Sequence, residues 1–220
     1  MSDVEMERFE DIALFDGIPS EETEIMLRCL QPIRRKYSRQ TFIFLDQQNV
    51  EMVSMVLKGT VHILKEDYYG NKVLLSYANR GDLFGESFSF QQKTVSQVSF
   101  QAATDVDVLL MPLAKLLNTC SNSCPFHQQL VRNLFRQFAE KNAALMDKIN
   151  IISRLTLRDK ILTYLTLMSE KAGSSGFAVT LSRTEMAAYL CTNRSAMSRE
   201  LAKMQEEGLI RIERNWFELL

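Results

Sequence analysis

Two short helices separated by a tight break are encoded between Thr180 and Leu209, and they constrain the fold more than any other segment. Ser182-Arg183-Thr184-Glu185 forms a capping box, in which the serine hydroxyl accepts a hydrogen bond from a free backbone N–H and Glu185 reaches back. Asn193 is a favourable N-cap for the second helix, and Gly208 is a favourable terminator. This layout predicts a helix-turn-helix, a motif whose second helix enters the major groove of DNA.

The second predicted helix has one exposed face suited to reading bases. The polar side chains that share this face through their helical spacing are Arg194, Ser195, Ser198 and Arg199. Arginine donates two hydrogen bonds to O6 and N7 of guanine, so we expect contacts with base edges here. Three flanking residues are expected to contact phosphates: Thr180, Arg183 and Lys203. Two arginines alone would also fit a solvated face, but the caps, the break and the glycine stop together favour DNA binding.

The segment from Leu209 to Leu219 alternates apolar and polar residues around a turn near Arg214-Asn215. This pattern predicts a short β-hairpin, which after a recognition helix forms the wing of a winged helix-turn-helix. We expect Trp216 and Phe217 to close the small core of this domain.

From Lys36 to Met111 the pattern changes to short apolar runs divided by turn residues such as Gly59 and Gly81. The predicted strands are Thr41–Leu45, Met52–Lys58, Thr60–Lys65, Val73–Tyr77, Val95–Ala102 and Val106–Met111. Many short strands at regular spacing indicate a sandwich or a barrel. Two predicted helical segments precede them, Glu5–Phe15 and Ser20–Leu30.

Val56-Leu57-Lys58-Gly59-Thr60-Val61, then Gly70, then Gly81-Asp82-Leu83-Phe84-Gly85-Glu86 resemble a cyclic-nucleotide-binding barrel. With the winged helix, they resemble the Crp/Fnr superfamily of bacterial transcription regulators over nearly the whole chain. The resemblance implies an α+β fold: an N-terminal β-roll, or jelly-roll-like barrel, as sensor domain, a long dimerisation helix and a C-terminal winged helix-turn-helix. We expect these three parts at residues 1–124, 125–153 and 154–220.

The chain departs from the superfamily members that bind cyclic AMP. In those members an Arg-Ser pair follows Gly-Glu, and its arginine holds the cyclic phosphate; here that pair falls on Ser96-Gln97, and no arginine lies between Arg80 and Arg132. Losing a bidentate, charge-assisted contact makes cyclic AMP a poor candidate. The candidate effector pocket for another ligand consists of Gly85, Glu86, Ser87, Ser96 and Gln97. On the reading helix, Arg194 and Arg199 match the family's arginines, but Ser195 stands where an acid is common.

Residues from Pro125 to Ser153 are predicted to form one long helix. Its heptad seam, in alternating four- and three-residue steps, consists of Val131, Phe135, Phe138, Asn142, Leu145, Ile149 and Ile152. A lone Asn in such a seam typically fixes register and strand number. We expect a parallel homodimer, as the resemblance also implies, with packing on the chain's own barrel as the alternative. A dimer would place two reading helices about 34 Å apart on a palindromic site.

Cys120, Cys124 and His127 are the one cluster of ligand-type residues. Their spacing is not a recognised zinc pattern, so buried cysteines or free thiols are the simpler interpretation. The alternative to a ligand-gated regulator is the same architecture gated by thiol oxidation or a metal at these three residues. His62, in a predicted strand, is a weaker candidate for a haem ligand. We expect no resident cofactor, with an unknown small-molecule effector left open.

Composition adds weaker constraints. The net charge is −1, but from Ser153 onward there are ten Lys/Arg against eight Asp/Glu, the sign expected of a basic reading domain. Catalytic fingerprints are absent and there are two histidines, so an enzyme is disfavoured. The acidic N-terminus lacks a signal-peptide core and no stretch is long enough to span a membrane, so we expect a cytoplasmic protein with reduced cysteines. The expected partners are double-stranded DNA, a second copy of the chain and, as a further candidate, RNA polymerase.

Overall fold

The computed structural model describes residues 9, 11–66, 68–69, 72–89, 95–117 and 126–220. The chain divides into two compact units, Met1–Lys65 with Ser76–Lys141 and Glu66–Leu75 with Asn142–Leu220. The division between units falls inside the long helix, whereas the boundaries expected from the sequence remain a prediction.

The first unit is built from short strands. The elements up to Leu117 are a 3₁₀ turn at Ala13–Phe15, α1 (Ser20–Leu30), β1 (Ile33–Tyr37), β2 (Phe42–Phe44), β3 (Met52–Lys58), β4 (Val61–Glu66), β5 (Lys72–Ala78), β6 (Leu83–Phe84), α2 (Glu86–Ser89), β7 (Ser99–Ala102), β8 (Val106–Pro112) and α3 (Leu113–Leu117). Of these, Glu66 at the end of β4 and residues 72–75 of β5 belong to the second unit. The strands form two four-stranded sheets, ordered β1-β8-β3-β6 and β2-β7-β4-β5. The two sheets confirm the predicted β-roll.

Strand β3 is buried on both faces, which explains its nearly continuous apolar run. Val56 packs between the two sheets with Phe84, Phe100 and Val108, in what we call the roll interior. The residues that alternate with Val56 along β3, such as Met55, face the other side of the sheet. There they pack against the 3₁₀ turn, α1 and the start of the long helix. The long helix thus closes the outer face of one sheet.

Gly59 makes the turn between β3 and β4 possible. Its φ is +84°, and a Cβ there would lie 2.3 Å from the carbonyl oxygen of Asp105. A side chain could be accommodated only by moving backbone, so the turn depends on glycine.

Several sequence predictions for this unit need correction. The predicted helix Glu5–Phe15 is not helical over its described part, where a turn leads into the 3₁₀ turn at Ala13–Phe15. The predicted strand Val95–Ala102 begins at Ser99, and Val95 makes an isolated bridge to Asn49 instead. Strands β1 and β6 were not predicted, because β1 reads Ile-Arg-Arg-Lys-Tyr and β6 has only two residues.

Helix α4 (His127–Ile152) confirms the predicted long helix, although Pro125 lies outside the described residues. After it come α5 (Leu157–Ala172), β9 (Gly176–Ala178), α6 (Arg183–Tyr189), α7 (Arg194–Glu206), β10 (Ile210–Glu213) and β11 (Trp216–Leu219). The last three strands form one antiparallel sheet in the order β10-β11-β9. This arrangement is a winged helix-turn-helix, with β10 and β11 as the wing.

The winged helix has a compact core in which Phe217 stacks on Phe177 at a centroid distance of 6.4 Å. Trp216 covers Gly176 so closely that a Cβ on that glycine would lie 2.4 Å from the indole ring. The two aromatic residues therefore close the core as predicted. Among the described residues, no helix is long and apolar enough to cross a membrane.

Candidate nucleic-acid interface

The helix-turn-helix is held by the predicted caps. Ser182 N–H donates to Glu185 Oε2 at 2.7 Å, and Glu185 N–H donates to Ser182 Oγ at 3.3 Å, which completes the capping box. Asn193 Oδ1 accepts hydrogen bonds from Ala196 N–H at 2.7 Å and from the Ser195 hydroxyl at 3.0 Å. Cys191 makes the break between the helices with a φ of 52°. Each cap satisfies backbone donors that would otherwise lack partners.

Helix α7 has a buried face and an exposed face. Met197, Leu201 and Met204 are buried in the core of the winged helix. The exposed side carries the predicted reading residues Arg194, Ser195, Ser198 and Arg199, together with Lys203. Thr180 is also exposed, before α6. The core thus fixes which residues of α7 face outward, and these include both arginines.

Arg183 is engaged within the domain. Its guanidinium carbon lies 4.4 Å from the centroid of the Phe217 ring, and Nη2 donates to the carbonyl oxygen of Arg214 at 2.8 Å. Burial lowers the pKa of Arg183, although an arginine remains charged in proteins. This residue ties the wing to the start of α6, and its predicted phosphate contact remains a prediction.

Two further cationic residues of this domain are not among the predicted DNA contacts. Arg214 is exposed in the turn of the wing, with a φ of 56°. Arg158, on α5, hydrogen-bonds two glutamates of the α7 region. The wing turn was predicted, but the contacts of Arg158 join residues more than 40 positions apart and leave no local signal.

The sensor unit brings Glu86 into a polar contact with the long helix. Glu86 is buried, and its Oε1 accepts a hydrogen bond from Lys141 Nζ at 2.8 Å. Lys141 Nζ also donates to the carbonyl oxygen of Leu83. The second carboxylate oxygen, Oε2, is buried with no hydrogen-bond partner among the described residues. Gly85 is buried and Ser87 is exposed.

The other two candidate pocket residues have local roles. Ser96 is buried, and its hydroxyl donates to the Val98 carbonyl at 2.6 Å and accepts from Val98 N–H at 3.2 Å. Gln97 is exposed, and its carbonyl accepts a hydrogen bond from Lys65 Nζ at 2.7 Å. Both residues are engaged in these local hydrogen bonds, and their place in an effector pocket remains a prediction.

The roll interior is aromatic near Glu86. The Phe84 and Phe100 rings lie 5.3 Å apart, and Phe44 and Phe88 contact Phe100 at 6.0 and 6.3 Å. These rings pack against one another and form an aromatic cluster in the roll interior.

Helix α4 has two apolar faces. Leu130 and Leu134 are buried in the core of the first unit. The predicted seam lies on a different side: Phe135 is 61% exposed, Leu145 49% and Ile149 56%. The other seam residues are half-buried or exposed, namely Val131, Phe138, Asn142 and Ile152. Phe138 also packs against the core of the first unit. Packing on the chain's own barrel therefore leaves Phe135, Leu145 and Ile149 of the seam uncovered.

Of the three residues predicted as a metal or redox cluster, the structure describes only His127. Cys120 and Cys124 lie outside the described residues. His127 is buried at the start of α4, and its Nε2 has no hydrogen-bond partner within the described part of the chain. Among the described residues of the chain, no three His, Cys, Asp or Glu side chains are grouped so that they could hold a metal ion. His62 is half-buried in β4.

Two family models match separate parts of the chain. The cyclic nucleotide-binding domain matches residues 34–123, and the Crp-like helix-turn-helix domain matches residues 159–220. The cAMP-activated global transcriptional regulator Vfr of Pseudomonas aeruginosa is 22% identical over 186 residues, covering 81% of this chain and 85% of its own. A probable transcriptional activator of Rhizobium leguminosarum is 25% identical over 186 residues, covering 82% of this chain and 74% of its own.

Solved structures share the fold. The c-di-GMP responsive global regulator CLP of Xanthomonas campestris matches with a TM-score of 0.72 and 20% identity, covering 91% of this chain and 99% of that one. FixK2 of Bradyrhizobium japonicum matches with a TM-score of 0.64 and 20% identity, covering 86% and 92%. A cyclic-nucleotide-binding-type sensor followed by a Crp-like helix-turn-helix defines a DNA-binding transcription regulator rather than an enzyme. The chain belongs to the Crp/Fnr superfamily.

Proposed function

We propose that the protein is a homodimeric regulator that reads a palindromic operator with Arg194 and Arg199 and responds to an effector other than cyclic AMP. The observation that carries the proposal is the orientation of α7. Its apolar face is buried through Met197, Leu201 and Met204, so the two arginines are presented outward. Exposed arginines at the start of a recognition helix are suited to guanine in the major groove.

The uncovered seam of α4 supports dimerisation. Phe135, Leu145 and Ile149 form an apolar stripe at heptad spacing that the chain itself does not cover. A second copy in parallel register would bury this stripe, and Asn142 would pair with its equivalent and fix the register. Such a dimer has the two-fold symmetry that a palindromic operator requires.

The polar contacts of Glu86 support an effector other than cyclic AMP. Lys141 already pairs with one carboxylate oxygen of Glu86, and no arginine lies between Arg80 and Arg132 in the sequence to hold a cyclic phosphate. Two relatives are described as responding to different nucleotides, one to cAMP and one to c-di-GMP. We expect millimolar cyclic AMP to leave both thermal stability and DNA affinity unchanged.

A second candidate is gating by a metal or by thiol oxidation at Cys120, Cys124 and His127. The supporting observation is the buried His127 Nε2, which has no partner among the described residues. Metal analysis and thiol titration of the purified protein distinguish this candidate from the first.

A contact with RNA polymerase is expected of an activator of this type and remains a prediction.

Selection from a random duplex library, sequenced and repeated at several salt concentrations, tests the proposed operator. We expect an enriched palindrome with half-sites about one helical turn apart, roughly 10 base pairs. Enrichment of a single, non-repeated half-site would contradict the dimeric arrangement. If nothing is enriched even with cell extract added, the arginines are surface charge.

A further inference from the structure

One arginine joins α5 to the recognition helix at two points. Arg158 Nε donates to Glu200 Oε1 at 2.6 Å. Its Nη1 and Nη2 donate to the two carboxylate oxygens of Glu207, at 2.7 and 3.1 Å. A single guanidinium therefore holds a carboxylate in the middle of α7 and another at its C-cap, an arrangement we call the Arg158 clamp.

The clamp restricts how α7 can move. Glu200 and Glu207 are seven residues apart, so they lie on one face of the helix and about 10 Å apart along its axis. Two attachments to one rigid, planar group resist tilting of the helix and rotation about its axis, whereas one flexible ion pair would resist neither. Packing of Met197, Leu201 and Met204 alone would still tolerate small rotations.

The rotation of α7 decides where its arginines point. Glu200 follows Arg199 directly, and adjacent residues of an α-helix are about 100° apart around the axis. Holding Glu200 toward α5 therefore directs Arg199 away from α5, onto the exposed face with Arg194. A base contact requires the guanidinium to align with two acceptors, so a modest rotation is enough to lose it.

The clamp also changes the charge of the helix. The hydrogen bond from Arg158 and, to a smaller extent, its positive charge lower the pKa of Glu207. Without Arg158, two uncompensated carboxylates would be carried by a helix that approaches DNA phosphates. A test of positioning must therefore separate geometry from charge.

We propose that Arg158 is a positioning residue for DNA recognition, which sets the rotation and tilt of α7 without contacting DNA itself. This inference rests on the proposed reading role of Arg194 and Arg199. Because solvent-exposed ion pairs add little to stability, removal of the clamp should disturb recognition more than folding.

The experiment compares full-length R158A, R158K and R158A/E200Q/E207Q with wild type. The probes are the duplex that wild type enriches from a random library and the unselected duplex pool. K171A is the matched control, because Lys171 lies on the same helix as Arg158. Its substitution also removes one positive charge and breaks an exposed ion pair, with Asp147. Thermal unfolding of every variant checks that the fold is retained.

We expect R158A to lose about tenfold in affinity for the enriched duplex, the size of one lost bidentate base contact. Affinity for the unselected pool should change much less, and K171A should keep the wild-type ratio of the two affinities. R158K keeps the charge but not the fork and should also lose discrimination. The triple variant is less negative than wild type, so the small loss of affinity for the pool seen in R158A should be recovered. The ratio of its affinities for the enriched duplex and the pool should stay below that of wild type. Full recovery of the ratio would show that Arg158 acts through charge alone and would overturn the proposal.

A second readout needs no operator. Amide hydrogen exchange of α7 in the free protein should be faster in R158A than in wild type or K171A, because the helix loses two attachments. Unchanged exchange in R158A would overturn the positioning role. If wild type enriches no duplex, the proposed reading role fails on that result, while the exchange measurement still decides whether Arg158 orders α7.

Discussion

The ammonium nitrogen of Lys148, on α4, lies 3.8 Å from the centroid of the Tyr189 ring at the end of α6. Lys148 is 5% exposed, and its Nζ also donates to the carbonyl oxygen of Leu74 in β5. Tyr189 in turn packs on Tyr164 of α5, with ring centroids 5.7 Å apart. One buried cation thus contacts both the helix-turn-helix and Leu74, a residue of β5 that also belongs to the second unit.

The burial of Lys148 predicts a specific pH dependence of stability. Desolvation lowers its pKa to about 8, from 10.5, and the opposing effect of Cys191 is smaller. Since the unfolded chain then binds the proton more tightly, this group makes the free energy of unfolding rise between pH 8 and 10.5. The difference in pKa corresponds to about 3 kcal/mol over that range.

Urea denaturation of wild type and K148M at several pH values measures this contribution. We expect the wild-type curve to rise by about that amount relative to K148M between pH 8 and 10.5, where K148M lacks the titrating group. At pH 7, K148M should be at least as stable as wild type, because it removes a buried charge. Parallel curves for the two proteins would contradict a buried, titrating ammonium.

Replacing either reading arginine should reduce recognition. R194A and R199A are each expected to lose about 1–3 kcal/mol of binding free energy on the enriched duplex, with much smaller losses on the unselected pool. K203A, at a flanking position, should weaken both probes alike and reduce the slope of log affinity against log salt by about one. Fluorescence anisotropy over a salt series measures both quantities. Equal losses on both probes for R194A and R199A would reassign them to phosphate contacts.

A charge in the α4 seam should prevent dimerisation. L145E and I149E each place a carboxylate in the exposed apolar stripe, where pairing would bury it without a partner. A143E is the matched control, because Ala143 is exposed on the same helix but outside the seam. Sedimentation velocity should give monomers for the first two variants and dimers for A143E. Dimers in all three would place the interface elsewhere.

The ion pair between Lys141 and Glu86 should show strong coupling. K141M leaves a buried carboxylate without a counter-charge, which should cost about 3 kcal/mol of stability, the lower end for a broken buried pair. K141M/E86Q removes that charge as well and should recover most of the loss. Urea denaturation of the wild type, both single variants and the double variant measures the coupling energy. Additive effects would mean that the pair contributes nothing beyond its separate side chains.

The sequence was most informative where a signal is local. The capping box at Ser182 and the cap at Asn193 depend on spacings of three residues, and both form as predicted. The long helix followed from its periodicity. These elements are specified by neighbouring residues, so propensity and spacing suffice to predict them.

Features that depend on distant contacts were not predicted. Strand β1 reads as a charged segment and exists because it pairs with the buried strand β8. Lys148 reads as a solvated lysine and is buried because it packs on the Tyr189 ring and donates to the carbonyl oxygen of Leu74. The Arg158 clamp joins a helix to residues 42 and 49 positions later. Each of these is decided by tertiary packing, which no local pattern encodes.

The two apolar faces of α4 have a consequence for the folding equilibrium. Leu134 is buried in the core of its own chain, and Phe135, the next residue, belongs to the uncovered seam. If the seam is where two copies pair, association and unfolding become linked by mass action through one helix. The melting temperature would then rise with protein concentration, and the amount of the regulator present would itself influence what fraction of it is folded.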